Sequence, residues 1–258
     1  MNRSATPSWY VISLRPRGEH DVLRRAAARY GAGLIALSPW KLVLKDGPAT
    51  HADLRAALAA AVVVFTSPTA VHAARALQPF APRPGQHWCA VGAGTAAALH
   101  DAGVGVGVGT VHAPTRMDSD GLLALPVLQD VRGREVGLVT APGGRGEIAP
   151  ALEARGARIL RADVYGRELI PLDAAAVHQV QAADVPLALA LSSGEALQRV
   201  LDAIPAGAAA KLRNAHVVAA SERLCVLARS LGFGDVSAAS GPRPDDLLAA
   251  AARRHPVA

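Results

Sequence analysis

The sequence predicts an α/β protein with two similar doubly wound parallel sheets. Segments with the spacing of strands alternate with segments with the spacing of helices along the chain. Such alternation is typical of parallel sheets that are covered by helices on both faces. Similar blocks also return about 125 residues later, which indicates an internal duplication. Ligands of such sheets bind beyond the carboxyl ends of the strands, so we expect the functional residues there.

The composition is compatible with two domains and with an anionic ligand. The chain has 258 residues, a net charge of +6 and only 3% aromatic residues. A basic surface suits an anionic partner, although a high-GC codon bias would explain the excess of arginine equally well. No block of lysines and arginines is interleaved with aromatic residues, so we expect no nucleic-acid partner. A small polycarboxylate or phosphate is the remaining candidate.

The sequence gives no sign of export or of membrane insertion. Cys89 and Cys225 form no motif, which favours a reducing compartment. The amino-terminal segment lacks the apolar region of a signal peptide, and no run of 18 apolar residues is present. We therefore expect a soluble, cytoplasmic protein without a membrane partner, and a monomer is compatible with two domains.

Local signals place the elements of the first half. Ser67 is a good N-cap with Pro68 at the first helical position, Gly31 ends a helix, and residues 118–120 cap another. The predicted strands are 10–14, 34–37, 40–44, 61–65, 88–91 and, from its alternation of Gly and Val, 103–109. The predicted helices are 18–30, 52–60, 68–77, one that follows the turn 92–95 and ends at 102, and 121–129.

The second half repeats this order. A strand is predicted over 134–140, a Gly-rich turn over 141–146 and a helix over 147–155, and the apolar segment 159–171 is interpreted as a strand. Gly31 and Gly156 are 125 positions apart (156 − 31), and Thr66 and Ser192 are 126 apart (192 − 66). Matching blocks at nearly one offset support the duplication.

Small polar residues between a strand and a helix are the recurring candidate for a site. They occur at Thr66-Ser67, 92–95, 143–146, Ser192-Ser193 and Ser221. Each turn places free backbone N–H groups and hydroxyls at a helix N-terminus, which favours anions. Helix capping alone explains any single one of them. The five together suggest a site for several anionic groups.

Other chemistry is not indicated. Residues 92–97 fit the pattern GxGxxA, but residues 108–117 contain no acidic residue to bind a ribose, which disfavours a nicotinamide cofactor. No HExxH, GxSxG or Cys/His cluster with the spacing of metal ligands is present, so we expect no metal.

The chain resembles the uroporphyrinogen-III synthase family over nearly its whole length. The resemblance rests on the order and spacing of several short motifs, which are Leu14-Arg15-Pro16, Phe65-Thr66-Ser67-Pro68, Val91-Gly92 with Thr95, Ser119-Asp120-Gly121-Leu122, Gly144-Arg145, Val164-Tyr165, Ser221-Glu222-Arg223-Leu224 and Leu231-Gly232-Phe233. Many members have Gly and Thr where this chain has Ser221 and Leu224, which weakens a direct hydroxyl role at this position.

The resemblance implies two α/β domains that are joined by a two-stranded linker, with a deep cleft between them. The first domain would comprise 1–38 and 168–258, and 39–167 would be the inserted second domain. The linker strands would lie near 39–44 and 162–170, around Trp40 and Tyr165, which the repeat also pairs (165 − 40 = 125).

The activity implied by the resemblance is the cyclisation of hydroxymethylbilane, with inversion of the last pyrrole ring and loss of water. It needs no cofactor, and the substrate carries eight carboxylates. Tyr165 matches the family's linker tyrosine and would assist departure of the hydroxyl, although a purely structural linker role stays open. The expected substrate-binding residues are Arg15, Thr66, Ser67, Gly92, Thr95, Gly144, Arg145, Ser192, Ser193 and Ser221. The alternative is a two-lobed binding protein or regulator for a small polyanion.

Overall fold

A computed structural model describes residues 7–116, 118–143 and 146–255. The chain divides into two compact units, Met1–Leu42 with Arg167–Ala258 and Val43–Gly166. We call these the first and second unit. Each contains a five-stranded parallel sheet, which confirms the predicted α/β class. The domain boundaries at 38/39 and 167/168 and the cleft stay predictions.

The first unit is a parallel sheet with helices on both faces. Its strands are β1 Trp9–Ser13, β2 Ala32–Ala36, β10 Leu187–Leu191, β11 His216–Ala219 and β12 Val236–Ala238, in the order β12-β11-β10-β1-β2. Its helices are α1 Asp21–Ala28, α7 Ala174–Ala182, α8 Gly194–Ala203, α9 Ala206–Arg213, α10 Glu222–Ser230 and α11 Pro244–Ala252. Val11 and Ile12 of β1 belong to different buried clusters. Because neighbouring residues of a strand point to opposite faces, both faces of this sheet are covered.

The second unit has the same construction. Its strands are β4 Val62–Phe65, β5 His87–Ala90, β6 Thr110–His112, β7 Glu135–Thr140 and β8 Arg158–Asp163, in the order β6-β5-β4-β7-β8. Its helices are α2 Pro48–Ala59, α3 Pro68–Leu77, α4 Ala93–Asp101, α5 Ser119–Leu123 and α6 Ile148–Ala154, with a 3₁₀ turn over Pro126–Leu128. Val63 and Val64 again lie in different clusters.

The two five-stranded sheets have the same strand order when the strands of the second unit are counted from β7, as a circular permutation of the chain. Under that permutation β7 and β8 correspond to β1 and β2, and β4, β5 and β6 correspond to β10, β11 and β12. The sequence repeat aligns the same segments, because it pairs Thr66 after β4 with Ser192 after β10. The topology therefore supports the duplication.

A two-stranded sheet lies where the chain passes from one unit to the other. It pairs β3 Trp40–Leu44 with β9 Tyr165–Leu169. At one end the backbone N–H of Lys45 donates to the carbonyl of Val164, and at the other the N–H of Ile170 donates to the carbonyl of Pro39. The strands are therefore antiparallel. Segment 159–171, interpreted as one strand, is instead two strands, β8 and β9, which belong to different sheets and are separated at Val164.

The predicted strand 103–109 is wrong. Gly103, Gly105, Gly107 and Gly109 all have positive φ, between 74° and 87°. This left-handed region is open to glycine and incompatible with a continuous strand. The segment is a series of turns, and the edge strand β6 begins only at Thr110. Alternation of Gly and Val imitates the pattern of a strand without its backbone conformation.

Three predicted helices have different bounds. The helix predicted over 121–129 ends at Leu123, because the chain turns before Pro126 and continues as a 3₁₀ turn. The helix predicted over 52–60 begins earlier, at Pro48, since proline is well suited to the first turn. The helix predicted over 18–30 begins at Asp21, because Gly18 has a φ of 90°.

Within the described ranges, no helix has the length and apolar character needed to cross a membrane.

Candidate active site

The carboxyl edge of the second unit's sheet brings two threonines together. β4 and β7 are adjacent at the centre of this sheet, where the strand order reverses. Thr66 follows β4 and Thr140 ends β7, and their hydroxyl oxygens are 2.8 Å apart and hydrogen bonded. Ligands of doubly wound sheets bind at such reversal points. This edge is therefore where the topology favours a ligand in the second unit.

Tyr165 is connected to the same edge through Ser67. Ser67 is the N-cap of α3, and its Oγ accepts a hydrogen bond of 3.0 Å from the backbone N–H of Ala70. The Tyr165 hydroxyl lies 3.2 Å from the same Oγ and is hydrogen bonded to it. A serine hydroxyl can accept two hydrogen bonds and donate one. The phenol is thus held beside the positive end of a ten-residue helix.

The neighbouring turn after β5 completes this edge. Gly92 is buried and precedes α4, and its carbonyl accepts from the N–H of Thr95. The turn lies beside the start of α3, because a Cβ on Gly94 would be 3.6 Å from the Pro68 ring. Thr95 itself is 2% exposed, so almost none of its surface is accessible to solvent.

The first unit presents its own residues at the equivalent edge. Arg15 follows β1, Ser192 and Ser193 follow β10, and Ser221 follows β11, and these strands are neighbours. Ser193 is an N-cap whose Oγ accepts from the N–H of Ala196 at 3.3 Å. Ser192 and Ser221 are exposed, and the Ser221 side chain makes no capping bond to α10. Arg15 is half-buried, and burial lowers the pKa of its guanidinium, with Glu19 acting in the opposite direction.

A charged group of the first unit escaped the sequence analysis. The Arg167 guanidinium carbon lies 4.8 Å from the ring centre of Trp40. The same guanidinium pairs at 3.3 Å with Glu195, in the first turn of α8. Arg167 is two residues beyond Tyr165 in β9, so the alternation of a strand alone could have drawn attention to it.

The structure does not describe two of the predicted site residues, and it adds Thr140 to Arg167 as a residue that the sequence analysis missed. Gly144 and Arg145 lie outside the described residues. Thr140 was missed, although the repeat offset pairs it with Arg15 (140 − 15 = 125). Among the residues that the structure describes, no three His, Cys, Asp or Glu side chains are grouped as metal ligands would be. The edges can therefore supply hydroxyls, backbone N–H groups, a phenol and guanidinium groups.

Comparison with known proteins identifies the family. The family model described as uroporphyrinogen-III synthase HemD matches residues 21–249. The chain belongs to the uroporphyrinogen-III synthase family. The similar curated proteins include the uroporphyrinogen-III synthase of Escherichia coli K12, which is 35% identical over 163 residues, covering 62% of this chain and 65% of that protein. The Salmonella typhimurium LT2 protein of the same name is 33% identical over 67% of this chain and 68% of its own length.

Solved structures of the family show the same fold. A mutant uroporphyrinogen III synthase from the extremely thermophilic bacterium Thermus thermophilus superimposes with a TM-score of 0.56 and 18% identity, covering 95% of this chain and 97% of that one. Uroporphyrinogen-III synthetase from Helicobacter pylori 26695 gives a TM-score of 0.59 and 12% identity, covering 96% of this chain and 100% of that one. The similarity extends over both units.

Proposed function

We propose that this protein is a uroporphyrinogen-III synthase enzyme, a cyclising lyase of haem and tetrapyrrole biosynthesis. It would close hydroxymethylbilane to uroporphyrinogen III with inversion of ring D and loss of water, without a cofactor. Membership of the family supports this activity over a non-catalytic polyanion-binding protein. The observation that carries it is the Tyr165 phenol, which is hydrogen bonded to the N-cap Ser67 at 3.2 Å. A binding lobe has no need of such a group.

The proposed role of Tyr165 is to assist departure of the substrate hydroxyl. A phenol that approaches the leaving oxygen can donate a hydrogen bond or a proton to it. Ser67 holds the Tyr165 oxygen in place, and Ser67 is itself fixed by the Ala70 N–H. Because the phenol is already oriented, little orientational freedom is lost when the substrate binds.

The substrate-binding role of the other polar residues is also proposed. A substrate with eight carboxylates needs several donors. The Thr66 hydroxyl and the turn at Gly92 supply such groups in the second unit. Arg15, Ser192 and Ser193 supply them in the first unit, and an arginine can bind a carboxylate through two parallel hydrogen bonds. Thr95, Gly144, Arg145 and Ser221 stay predicted members of this set.

The decisive experiment is a product analysis. The protein is incubated with freshly prepared hydroxymethylbilane, and the uroporphyrinogen isomers are separated after oxidation. We expect isomer III to dominate. Accumulation of isomer I alone, the product of spontaneous closure, would refute the activity. A heat-denatured sample of the same protein is the matched control and should give isomer I.

We further propose that the enzyme acts as a monomer in the cytoplasm. Cys89 and Cys225 are both free and buried, which is compatible with a reducing compartment. Size-exclusion chromatography at assay concentration tests the oligomeric state, and a dimer peak would contradict it.

A further inference from the structure

His20 lies in a buried polar cluster that the proposed reaction does not use. Its side chain contacts two serines of the same unit, Ser13 and Ser38. Nδ1 is hydrogen bonded to Ser13 Oγ at 2.9 Å, and Nε2 to Ser38 Oγ at 2.8 Å. The three residues are 6%, 0% and 6% exposed. Because both ring nitrogens have protein partners and the ring is buried, His20 is not placed to exchange protons with a substrate.

The cluster joins three segments at the carboxyl edge of the first unit's sheet. Ser13 ends β1, Ser38 follows β2, and His20 directly precedes α1. Buried polar groups of this kind are favourable only if they are hydrogen bonded, so the three segments are held in one arrangement. The edge is the one that carries Arg15.

The loop between Ser13 and His20 holds Arg15 and is fixed at several points. The backbone N–H of Arg15 lies 3.5 Å from Ser13 Oγ, the atom that His20 contacts. The N–H of Glu19 donates to the carbonyl of Pro16, and that of Arg17 donates to the carbonyl of Trp40. His20 is thus one of the anchors that determine where the Arg15 backbone lies.

Arg15 is suited to an anion from outside the protein. It is half-buried, and burial lowers the pKa of its guanidinium, while the charge of Glu19 acts in the opposite direction. No carboxylate in the part of the chain that the structure describes forms a salt bridge with it. A partly desolvated guanidinium that makes no salt bridge within these residues gains from a carboxylate ligand.

A neutral imidazole suits this position. Burial lowers the pKa of His20, and the charges of Arg24 and Arg15 lower it further, while Asp21 acts in the opposite direction. An uncharged ring adds no positive charge beside Arg15. Serine hydroxyls can donate to one ring nitrogen and accept from the other, so either tautomer is satisfied.

We infer that His20 is a positioning residue that acts through Ser13 and the loop to present the Arg15 guanidinium to a substrate carboxylate. The inference rests on the proposed function. It predicts that His20 affects substrate affinity and that its effect requires Arg15. A purely structural histidine would change stability, and its effect on KM would be independent of Arg15.

A double-mutant cycle on the full chain tests this dependence. KM and kcat for hydroxymethylbilane are measured for Arg15→Met, His20→Gln and the double variant. We expect KM to rise about tenfold for Arg15→Met and roughly fivefold for His20→Gln, with kcat little changed. The double variant should match Arg15→Met alone. Independent effects would multiply to roughly fiftyfold and would overturn the inference.

Two further variants keep the test decisive. His216→Gln is the matched control, because His216 is also buried and bonded to a serine of the same unit, at the amino end of β11. Its KM should equal that of the wild type. If His20→Gln does not fold, Ser13→Ala replaces it in the same cycle. A wild type that makes only isomer I refutes the proposed function, whereas an active wild type with multiplying effects refutes only the role of His20.

Discussion

The two sheets share one strand order, but the aromatic residues of their linker strands make different contacts. Tyr165 and Trp40 correspond in the repeat (165 − 40 = 125). In the second unit the Tyr165 hydroxyl is bonded to Ser67, the N-cap of α3. In the first unit Trp40 is 4% exposed, and Arg167 lies over its ring.

The two units share a strand order but differ in the side chains that they place at corresponding positions. The described edge of the second unit combines hydroxyls, with Thr66 bonded to Thr140 and Ser67 to Tyr165. The edge of the first unit also carries hydroxyls, from Ser192, Ser193 and Ser221, and it adds the guanidinium of Arg15. Arg167 of β9 pairs with Glu195, in the first turn of α8. Hydroxyl groups suit proton transfer and guanidinium groups suit carboxylates. For the proposed reaction, we therefore expect the chemical step to depend on residues of the second unit and substrate ion pairing to depend on residues of the first.

We expect the largest effect, on the free energy of unfolding, from a substitution in the central strands β1 and β7, where the units also differ. Ile12 in β1 corresponds to Gly137 in β7 (137 − 12 = 125). α2 packs so closely on β7 that a Cβ on Gly137 would overlap the carbonyl oxygen of Ala57. Because backbone must move to admit a methyl group, we expect Gly137→Ala to lower the free energy of unfolding by about 3 kcal/mol. Urea denaturation measures this.

A glycine in the first unit provides the control for that substitution. Gly207 lies in α9, and a Cβ there would be 3.7 Å from the Gln181 amide nitrogen, an ordinary contact. Gly207→Ala should raise the free energy of unfolding by up to about 1 kcal/mol, because alanine favours the helix. A Gly137→Ala protein as stable as the wild type would show that α2 does not rest on β7 in this way.

The sequence predicts features that depend on adjacent residues. It misses contacts that form only when strands pair in a sheet. Ser67 and Pro68 identified the start of α3 correctly, because capping depends on adjacent residues. The strand predicted over 103–109 failed, since its glycines turn the chain instead of extending it. The bond between Thr66 and Thr140 joins residues 74 positions apart. Nothing in the neighbourhood of either threonine indicates the other, although the repeat could have pointed to Thr140.

Buried polar clusters were equally hidden. From the sequence, His20 is an ordinary residue before a helix. Its partners are Ser13, at the end of β1, and Ser38, which follows β2. Only the parallel pairing of β1 with β2 places them around one ring. The resemblance to a family identified Tyr165 and Ser67 as candidate residues. The hydrogen bond between them could be found only from the structure.

Removal of the Tyr165 hydroxyl tests the chemical half of the comparison. Tyr165→Phe keeps the ring and its packing and loses only the bond to Ser67. We expect kcat for isomer III formation to fall at least about tenfold, which corresponds to about 1.4 kcal/mol in the activation free energy. Tyr10→Phe, a change in β1 of the first unit, is the matched control and should retain kcat. Equal turnover in Tyr165→Phe and the wild type would leave the tyrosine with a structural role.

Arg167 tests the charged half of the comparison, and here we expect the smallest effect. Two weak interactions hold its guanidinium, the contact with the Trp40 ring and the ion pair with Glu195, and the side chains of this ion pair are 34% and 54% exposed. A cation over an indole ring contributes roughly 0.5–1 kcal/mol at such a site, and an exposed ion pair contributes less than about 1 kcal/mol. Arg167→Met should therefore lower the free energy of unfolding by about 1 kcal/mol.

Glu195→Gln separates the two interactions, because it removes the ion pair and leaves the guanidinium over Trp40. We expect this variant to lower the free energy of unfolding by less than about 0.5 kcal/mol, again measured by urea denaturation. The loss in Arg167→Met should also persist at high salt, since stacking on a ring is screened less than an exposed ion pair. If the two variants were equally destabilised and salt abolished both effects, Trp40 would contribute nothing to holding Arg167, and the proposed contrast with Tyr165 would be lost.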